Sequence, residues 1–337
     1  MELHTRVMGR RAVLGTFVSI AAGAALSKSS FAETPAASTA KALRGLFPIA
    51  STPFTQDDKL DFDCLNAEVG FCNRAGVPGL IWPQIASGWS TLSSSERFAG
   101  AESMLAAGKG GKTALVIGVQ TQGNDLPGAI AYAKHAAKCG ADGICSLPPQ
   151  GDSAAVLEYY KAVGSATDLP LFVQTIGNMS VDSVVEMFRS IPTMRVVKDE
   201  AGDPRARITE IRQKTDDKLA VFAGQGVRVM IDEMRLGFSG YCPFLGLSDV
   251  YQEAFELYEA GKPREAFDMF GRILAFSSIA HADQYVLVAR GIFKENTKSR
   301  PTPGMGDPAN KPAEPTENDK KVVRDALTTY LKPYLRG

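Results

Sequence analysis

The residue most suited to chemistry in this chain is Lys198. It closes a short apolar run, Met194-Arg195-Val196-Val197, and Asp199-Glu200 and Gly202-Asp203 follow at once. If the run is a strand, Lys198 stands at its C-terminal end with its amine facing a pocket, as a lysine that forms a Schiff base with a ketone must. At an ordinary pKa near 10.4, only about one amine in 2,500 is unprotonated at pH 7. Burial disfavours the ammonium. The expectation is therefore a lowered pKa, to about 8, that Asp199 and Glu200 act against. Strand alternation turns Asp199 away from Lys198, towards the helices.

A second stretch, Ala86-Ser87-Gly88-Trp89-Ser90-Thr91, is mostly small and polar. Successive backbone N–H groups there could form a nest for a carboxylate. The Ser87 hydroxyl would be a further donor, and Gly88 would allow close approach of the backbone. An amine that attacks a ketone and a nest that holds an acid together suit a 2-oxo acid.

Other chemistries have little to work with. There are three histidines (His4, His135, His281) and five scattered cysteines (Cys64, Cys72, Cys139, Cys145, Cys242) with no Cys-x-x-Cys pair. That argues against a histidine triad, a zinc site or a disulfide framework, and the cysteines read as free thiols in the core. Lys+Arg and Asp+Glu are both 37, a formal net charge of zero, so nucleic acid and acidic membrane surfaces are not expected partners.

The elements that must position these residues follow from periodicity. Short apolar runs at 45–52, 79–83, 113–119, 143–147, 170–175, 195–198, 219–223 and 240–244 read as strands. Helical spacing between them predicts helices at 61–75, 93–107, 124–139 (capped by Asn124), 152–167, 180–190, 204–214, 227–236 and 249–260. The runs are continuous rather than alternating, which implies strands covered on both faces. Strict alternation of strand and helix implies a parallel sheet. Eight units over about 215 residues fit a closed (β/α)8 TIM barrel, placed at 44–262. An open doubly wound sheet is the second choice, and no Gly-x-Gly-x-x-Gly follows the first strand to support it. Further helices at 264–280, 282–293 and 318–331, with a Pro/Gly-rich connection at 300–316, make a C-terminal helical extension over 263–337. In such barrels the active site lies at the C-terminal ends of the strands. That places Thr52, Gln174, Lys198 and Tyr241 beside the Ser87-Gly88 loop.

Residues 1–32 read as a leader. Arg10-Arg11 precedes an uncharged apolar segment, and Ser30-Phe31-Ala32 offers a cleavage site. The pattern resembles a twin-arginine signal, so the expected destination is the periplasm. The segment is short for a membrane span, and residues 33–43 read as a tether.

Three features together carry a family resemblance. They are Thr52-Pro53-Phe54; Ser87-Gly88 with Thr91-Leu92-Ser93 and Glu96-Arg97; and Val196-Val197-Lys198-Asp199 with Gly202-Asp203. Over about residues 44–335 the chain resembles the dihydrodipicolinate synthase / N-acetylneuraminate lyase family, class I aldolases on a (β/α)8 barrel. The resemblance implies that Lys198 forms the imine with pyruvate or another 2-oxo acid. It also implies that Ser87 and Gly88 belong to the loop gripping the carboxylate, and that the chain forms a homo-oligomer. No metal or cofactor is implied, because the iminium is itself the electron sink.

The departures are specific. The family loop Gly-Thr-Thr-Gly-Glu reads Ile85-Ala86-Ser87-Gly88-Trp89. The tyrosine that shuttles protons falls on Gln174, an amide with no acid/base capacity near neutrality. The arginine for a second substrate carboxylate falls near Met179, and the aromatic after strand four falls on Gln150. These changes argue against dihydrodipicolinate synthesis and lend no support to sialic acid cleavage. Tyr241, Thr52 or a water held by Gln174 are the groups left to carry protons. The expected activity is a Schiff-base lyase on a 2-oxo acid or sugar-acid derivative. A Schiff-base dehydratase and an exported 2-oxo acid binding protein are the competing readings.

Overall fold

Strands built from continuous apolar runs need cover on both faces, and here a ring of helices supplies it. The computed structural model describes residues 41–300 and 314–337. The expected leader lies outside the described residues, as do most of the tether and most of the 300–316 connection. In chain order the barrel runs β1 (Gly45–Leu46), α1 (Phe62–Ala75), β2 (Gly79–Trp82), α2 (Ser94–Ala107), β3 (Ala114–Gly118), α3 (Leu126–Lys138), β4 (Gly143–Ser146), α4 (Ser153–Gly164), β5 (Leu171–Gln174), α5 (Val181–Ser190), β6 (Met194–Asp199), α6 (Pro204–Lys214), β7 (Ala220–Ala223), α7 (Met230–Leu236), β8 (Gly240–Tyr241) and α8 (Ser248–Glu259). The extension adds α9 (Pro263–Ser277), α10 (Ala282–Ala289) and α11 (Glu317–Ala326).

All eight strands are parallel, and β1 pairs with β8. A bridge between Ile49 and Ile81 closes the ring between β1 and β2. The outer strands are shorter than their apolar runs. Pro48 and Pro243 have no N–H to donate, so the ladder is interrupted beyond Leu46 and Tyr241, where Phe47 N and Ile49 N still donate to Tyr241 O and Pro243 O at 2.8 and 2.9 Å. The cap of α3 is Asp125 rather than Asn124: its side chain accepts from Gly128 N, while Asn124 sits in the left-handed region at φ 59°. Similarly, α7 starts at Met230 because Gln225, Gly226 and Val227 all have positive φ (52°, 75° and 49°).

Strand parity divides the core in two. Inward-facing Phe47, Ile81, Val116, Phe172, Val196 and Phe222 fill the barrel. Phe47, Phe172 and Phe222 pack ring against ring, with centroids 5.3–5.9 Å apart, a plug beneath the strand ends. Outward-facing Val173, Val197, Val221 and Tyr241 pack among the helices instead. Two residues beyond Phe172 and Val196, the same inward parity falls on Gln174 and Lys198.

The C-terminal helices are locked on by a buried ion pair. Arg290 donates two 2.7 Å hydrogen bonds to the Asp249 carboxylate, and the backbone N–H of Arg336 adds a third at 2.7 Å. Asp249 is fully buried.

Candidate active site

β5 and β6 are in register so that Gln174 and Lys198 are direct neighbours, with Lys198 opposite Phe222 on the other side. Both polar side chains are buried, Lys198 at 7% exposure and Gln174 at 1%. Asp199 takes the opposite parity, as alternation requires. It accepts from Arg207 Nε at 3.0 Å and from the Thr175 hydroxyl at 2.7 Å, outside the barrel.

The partner of Lys198 is Glu200. Lys198 Nζ lies 3.1 Å from Glu200 Oε2. The Gln174 Nε2 amide donates to the same oxygen. Glu200 Oε1 accepts from Gln225 N at 2.7 Å, and Gln225 Nε2 reaches the Glu200 carbonyl at 3.2 Å. The turn that brings the carboxylate back over the strand is held by Thr175, whose hydroxyl accepts from Glu200 N (2.8 Å) and Ala201 N (3.0 Å). Gly224 makes room for it. A Cβ there would lie 1.9 Å from Glu200 Oε1 and 2.8 Å from Lys198 Cε.

This arrangement corrects the expectation for the amine. Burial does act to lower the Lys198 pKa, but the negative charge and hydrogen bond of Glu200 outweigh it, and the pKa is raised. The resting lysine is an ammonium in an ion pair. Glu200 was legible only as a charge opposing the shift. It lies past the end of the strand, where alternation no longer says which way a side chain turns.

Two further expectations change. Tyr241 does not face the strand ends. It is fully buried on the outward side of β8, with its hydroxyl donating to Met230 O at 3.1 Å, because its parity is that of Val197 and not of Lys198. The Ser87 hydroxyl is not free for a carboxylate. It donates to Ala50 O at 2.6 Å and accepts from Gln84 N at 3.1 Å. The amides of Ser87, Gly88 and Trp89 also donate within the loop, to Gln84 O and Ile85 O. Gly88, at φ 66°, joins two tight turns. Thr52 has a similar supporting role, since its hydroxyl donates to Ser87 O at 2.6 Å and accepts from Trp82 Nε1 at 3.0 Å. Thr52 and Ser87 thus shape the loop, and its cleft-facing residues are Ile85 and Trp89.

A cleft of about 380 Å³ opens over the loops after β2, β3, β4 and β5. Ile85, Trp89, Pro148, Pro149, Tyr159 and Ile176 give it apolar walls, and no charged residue lines it. Met179, the arginine position of the resemblance, packs against the outer core instead. Two amide oxygens, Gln84 Oε1 and Gln174 Oε1, are buried with no hydrogen-bond partner. Among the described residues, only Glu102, His135 and Cys139 come within metal-ligating distance of one another, and they sit on α2 and at the end of α3, away from these strand ends.

A family model described as the dihydrodipicolinate synthetase family matches residues 42–291. The chain belongs to this family. N-acetylneuraminate lyase of Rhizobium meliloti is 24% identical over 298 residues, covering 86% of this chain and 96% of that protein. The 4-hydroxy-tetrahydrodipicolinate synthase of Methanosarcina mazei is 28% identical over 190 residues, 54% of this chain. That match spans 63% of the synthase, less than two thirds of its length. A solved prophage protein of the dihydrodipicolinic acid synthase family from E. coli K12, in complex with pyruvate, superimposes with a TM-score of 0.68 at 21% identity. It covers 85% of this chain and 98% of that one. At Gln174, where the resemblance leads one to expect a tyrosine, the side chain is an amide that donates to the Glu200 carboxylate.

Proposed function

We propose that this protein is a Schiff-base lyase acting on a 2-oxo acid, with Lys198 as the nucleophile. The observation that carries the reading is the buried Lys198 at the C-terminal end of the sixth barrel strand, touching an acid/base group at 3.1 Å. Condensation of its amine with the substrate ketone gives an iminium, which accepts the electron pair of a breaking carbon–carbon bond. The pyruvate carried by the E. coli family member fits a 2-oxo acid as the part held at the lysine. The uncharged cleft over the loops after β2 to β5, which Lys198, Gln174 and Glu200 do not themselves line, suits a substrate whose far end is neutral and partly apolar. It provides no cation for a second carboxylate, which weighs against dihydrodipicolinate synthesis.

Elimination of water from a hydroxylated 2-oxo acid is the second reading. It is favoured by the carboxylate beside the lysine, since elimination needs a base at carbon 3 and an acid at the departing hydroxyl. Assembly into a homo-oligomer and export through the twin-arginine leader complete the proposal. The first would be read by light scattering, and the second by the mass of the chain recovered from the periplasm.

The test is reductive trapping. Pyruvate with cyanoborohydride should add one adduct to the native chain, located on Lys198 by peptide mass, and Lys198→Ala should take none. An unlabelled native chain would remove Schiff-base chemistry altogether. Incubation with 4-hydroxy-2-oxo acids then separates the readings: pyruvate plus an aldehyde marks cleavage, and loss of one water marks elimination.

A further inference from the structure

Imine chemistry needs a group that moves protons at the nitrogen and at the neighbouring carbons, and the family's tyrosine is absent here. The titratable groups that face Lys198 are few. Cys145 and Cys242 are inward neighbours, but burial pushes both thiols up to about 12. Asp199 is turned out of the barrel and tied to Arg207. Tyr241 is among the helices, and the Thr52 hydroxyl is engaged on both sides. Glu200 alone among the described residues contacts Lys198 Nζ with a group able to exchange a proton.

We propose that Glu200 is the proton carrier of this site, replacing the phenol. The inference rests on the Schiff-base reading above. Three features of its setting are those of a working group rather than a surface ion pair. Its carboxylate is largely enclosed, with 17% of the side chain exposed. Donors approach both oxygens and aim the carboxylate at Nζ: Gln225 N on Oε1, and Gln174 Nε2 beside the lysine on Oε2. The loop supplying Gln225 carries three consecutive left-handed residues, one of them the β-branched Val227. Backbone held in such sparsely populated conformations is concentrated at functional sites.

The proton steps balance. Glu200 takes a proton from the Lys198 ammonium, which frees the nitrogen lone pair. Nitrogen attacks carbon 2 of the oxo acid, the carbonyl π pair moves to oxygen, and oxygen takes the proton from Glu200. The carboxylate then removes a second proton from nitrogen and delivers it to the new hydroxyl. The carbon–oxygen bond breaks as the nitrogen lone pair forms the C=N bond, and water leaves. Two ammonium protons have become part of water, and Glu200 is a carboxylate again. It can then take a proton from carbon 3, whose C–H pair becomes the enamine double bond as the iminium π pair returns to nitrogen. Gln174 is a positioning residue: its Nε2 amide holds the Glu200 carboxylate beside Lys198.

The experiment compares the rate of pyruvate trapping with cyanoborohydride at pH 7 in the native chain, Glu200→Gln and Glu200→Asp. A proton carrier and a passive ion-pair partner give opposite signs. Removing a passive partner would free the amine and speed labelling. Removing the carrier should slow it about 100-fold or more. The expected result is slow labelling of Glu200→Gln that still runs to one adduct on Lys198, which shows an intact pocket. Glu200→Asp should recover part of the rate. Exchange of the pyruvate methyl protons in D2O, followed by NMR, should be lost in Glu200→Gln. Labelling of Glu200→Gln at or above the native rate would overturn the role, as would an aspartate variant no faster than the glutamine one. A native chain that takes no label at all would fail at the earlier step, the Schiff base itself.

Discussion

At the scale of residues, the site is a matter of a few ångströms around Lys198. Its unusual feature is that a glycine at 224 sets where a carboxylate can be. Gly224→Ala would put a methyl group 1.9 Å from Glu200 Oε1, so the carboxylate must swing away from Nζ. Misplacement by about 1 Å of a group that acts on reacting atoms costs about 100-fold. Trapping by pyruvate should fall by about that factor in this variant, with little change in melting temperature. An unchanged rate would mean that the carboxylate has a second, equally good position. Lys198 itself was legible from sequence because a strand end dictates where its side chain goes. Glu200 was not, since its direction depends on Thr175, Gly224 and Gln225, which lie 25, 24 and 25 residues away along the chain.

At the scale of elements, periodicity located every strand and helix of the barrel and misplaced several ends. The errors share a cause. Pro48, Pro243, Asn124 and the left-handed Gln225–Val227 run act through hydrogen-bond capacity or backbone conformation, and apolar spacing does not report either. Tyr241 illustrates the same limit. Its membership of β8 was correct, but the expected run 240–244 shortens to two residues in the structure, and Tyr241 takes the outward face. The short helix α7 also carries a titration. Glu233 is 6% exposed, with Oε2 unpartnered, and burial raises its pKa to about 7. Asp232 and Asp203 add to the shift and Arg205 opposes it. A carboxyl with a raised folded pKa favours the folded state fully below its ordinary value, and that advantage disappears as pH rises through about 7. Glu233→Gln should therefore flatten the decline in stability between pH 5 and pH 8, a difference of at most about 3 kcal/mol. Urea unfolding at the two pH values reads it, and a parallel shift of both curves would contradict the assignment.

At the scale of the whole molecule, a barrel and its C-terminal helices are one folded body because they share an apolar core and bury an ion pair between them. Arg290 is 3% exposed and Asp249 not at all. Removing one partner strands the other in a low-dielectric setting, which costs about 3–5 kcal/mol. Asp249→Ala should lower the free energy of unfolding by that amount and release α10 and the C-terminus to proteolysis before the barrel is cut. Simultaneous digestion of both would show that the pair is not what holds them. The helices of the extension are short and bury their apolar residues in one cluster with the outer core of the barrel, so they depend on it. The cleft, by contrast, was beyond reach from sequence, because four separate loops assemble it.

The ion pair at the end of β6 has one more consequence. An uncapped amine in a pocket open to small molecules is a general trap for carbonyl compounds, aldehydes and sugars among them. Locked as an ammonium against Glu200, Lys198 has no lone pair to offer. On the proposed Schiff-base reading, the carboxylate serves as a removable protecting group, lifted only when a ketone is held close enough for the proton transfer to be followed at once by bond formation. Discrimination among metabolites would in that case begin before any substrate is recognised by shape, in the reagent's own reluctance to react.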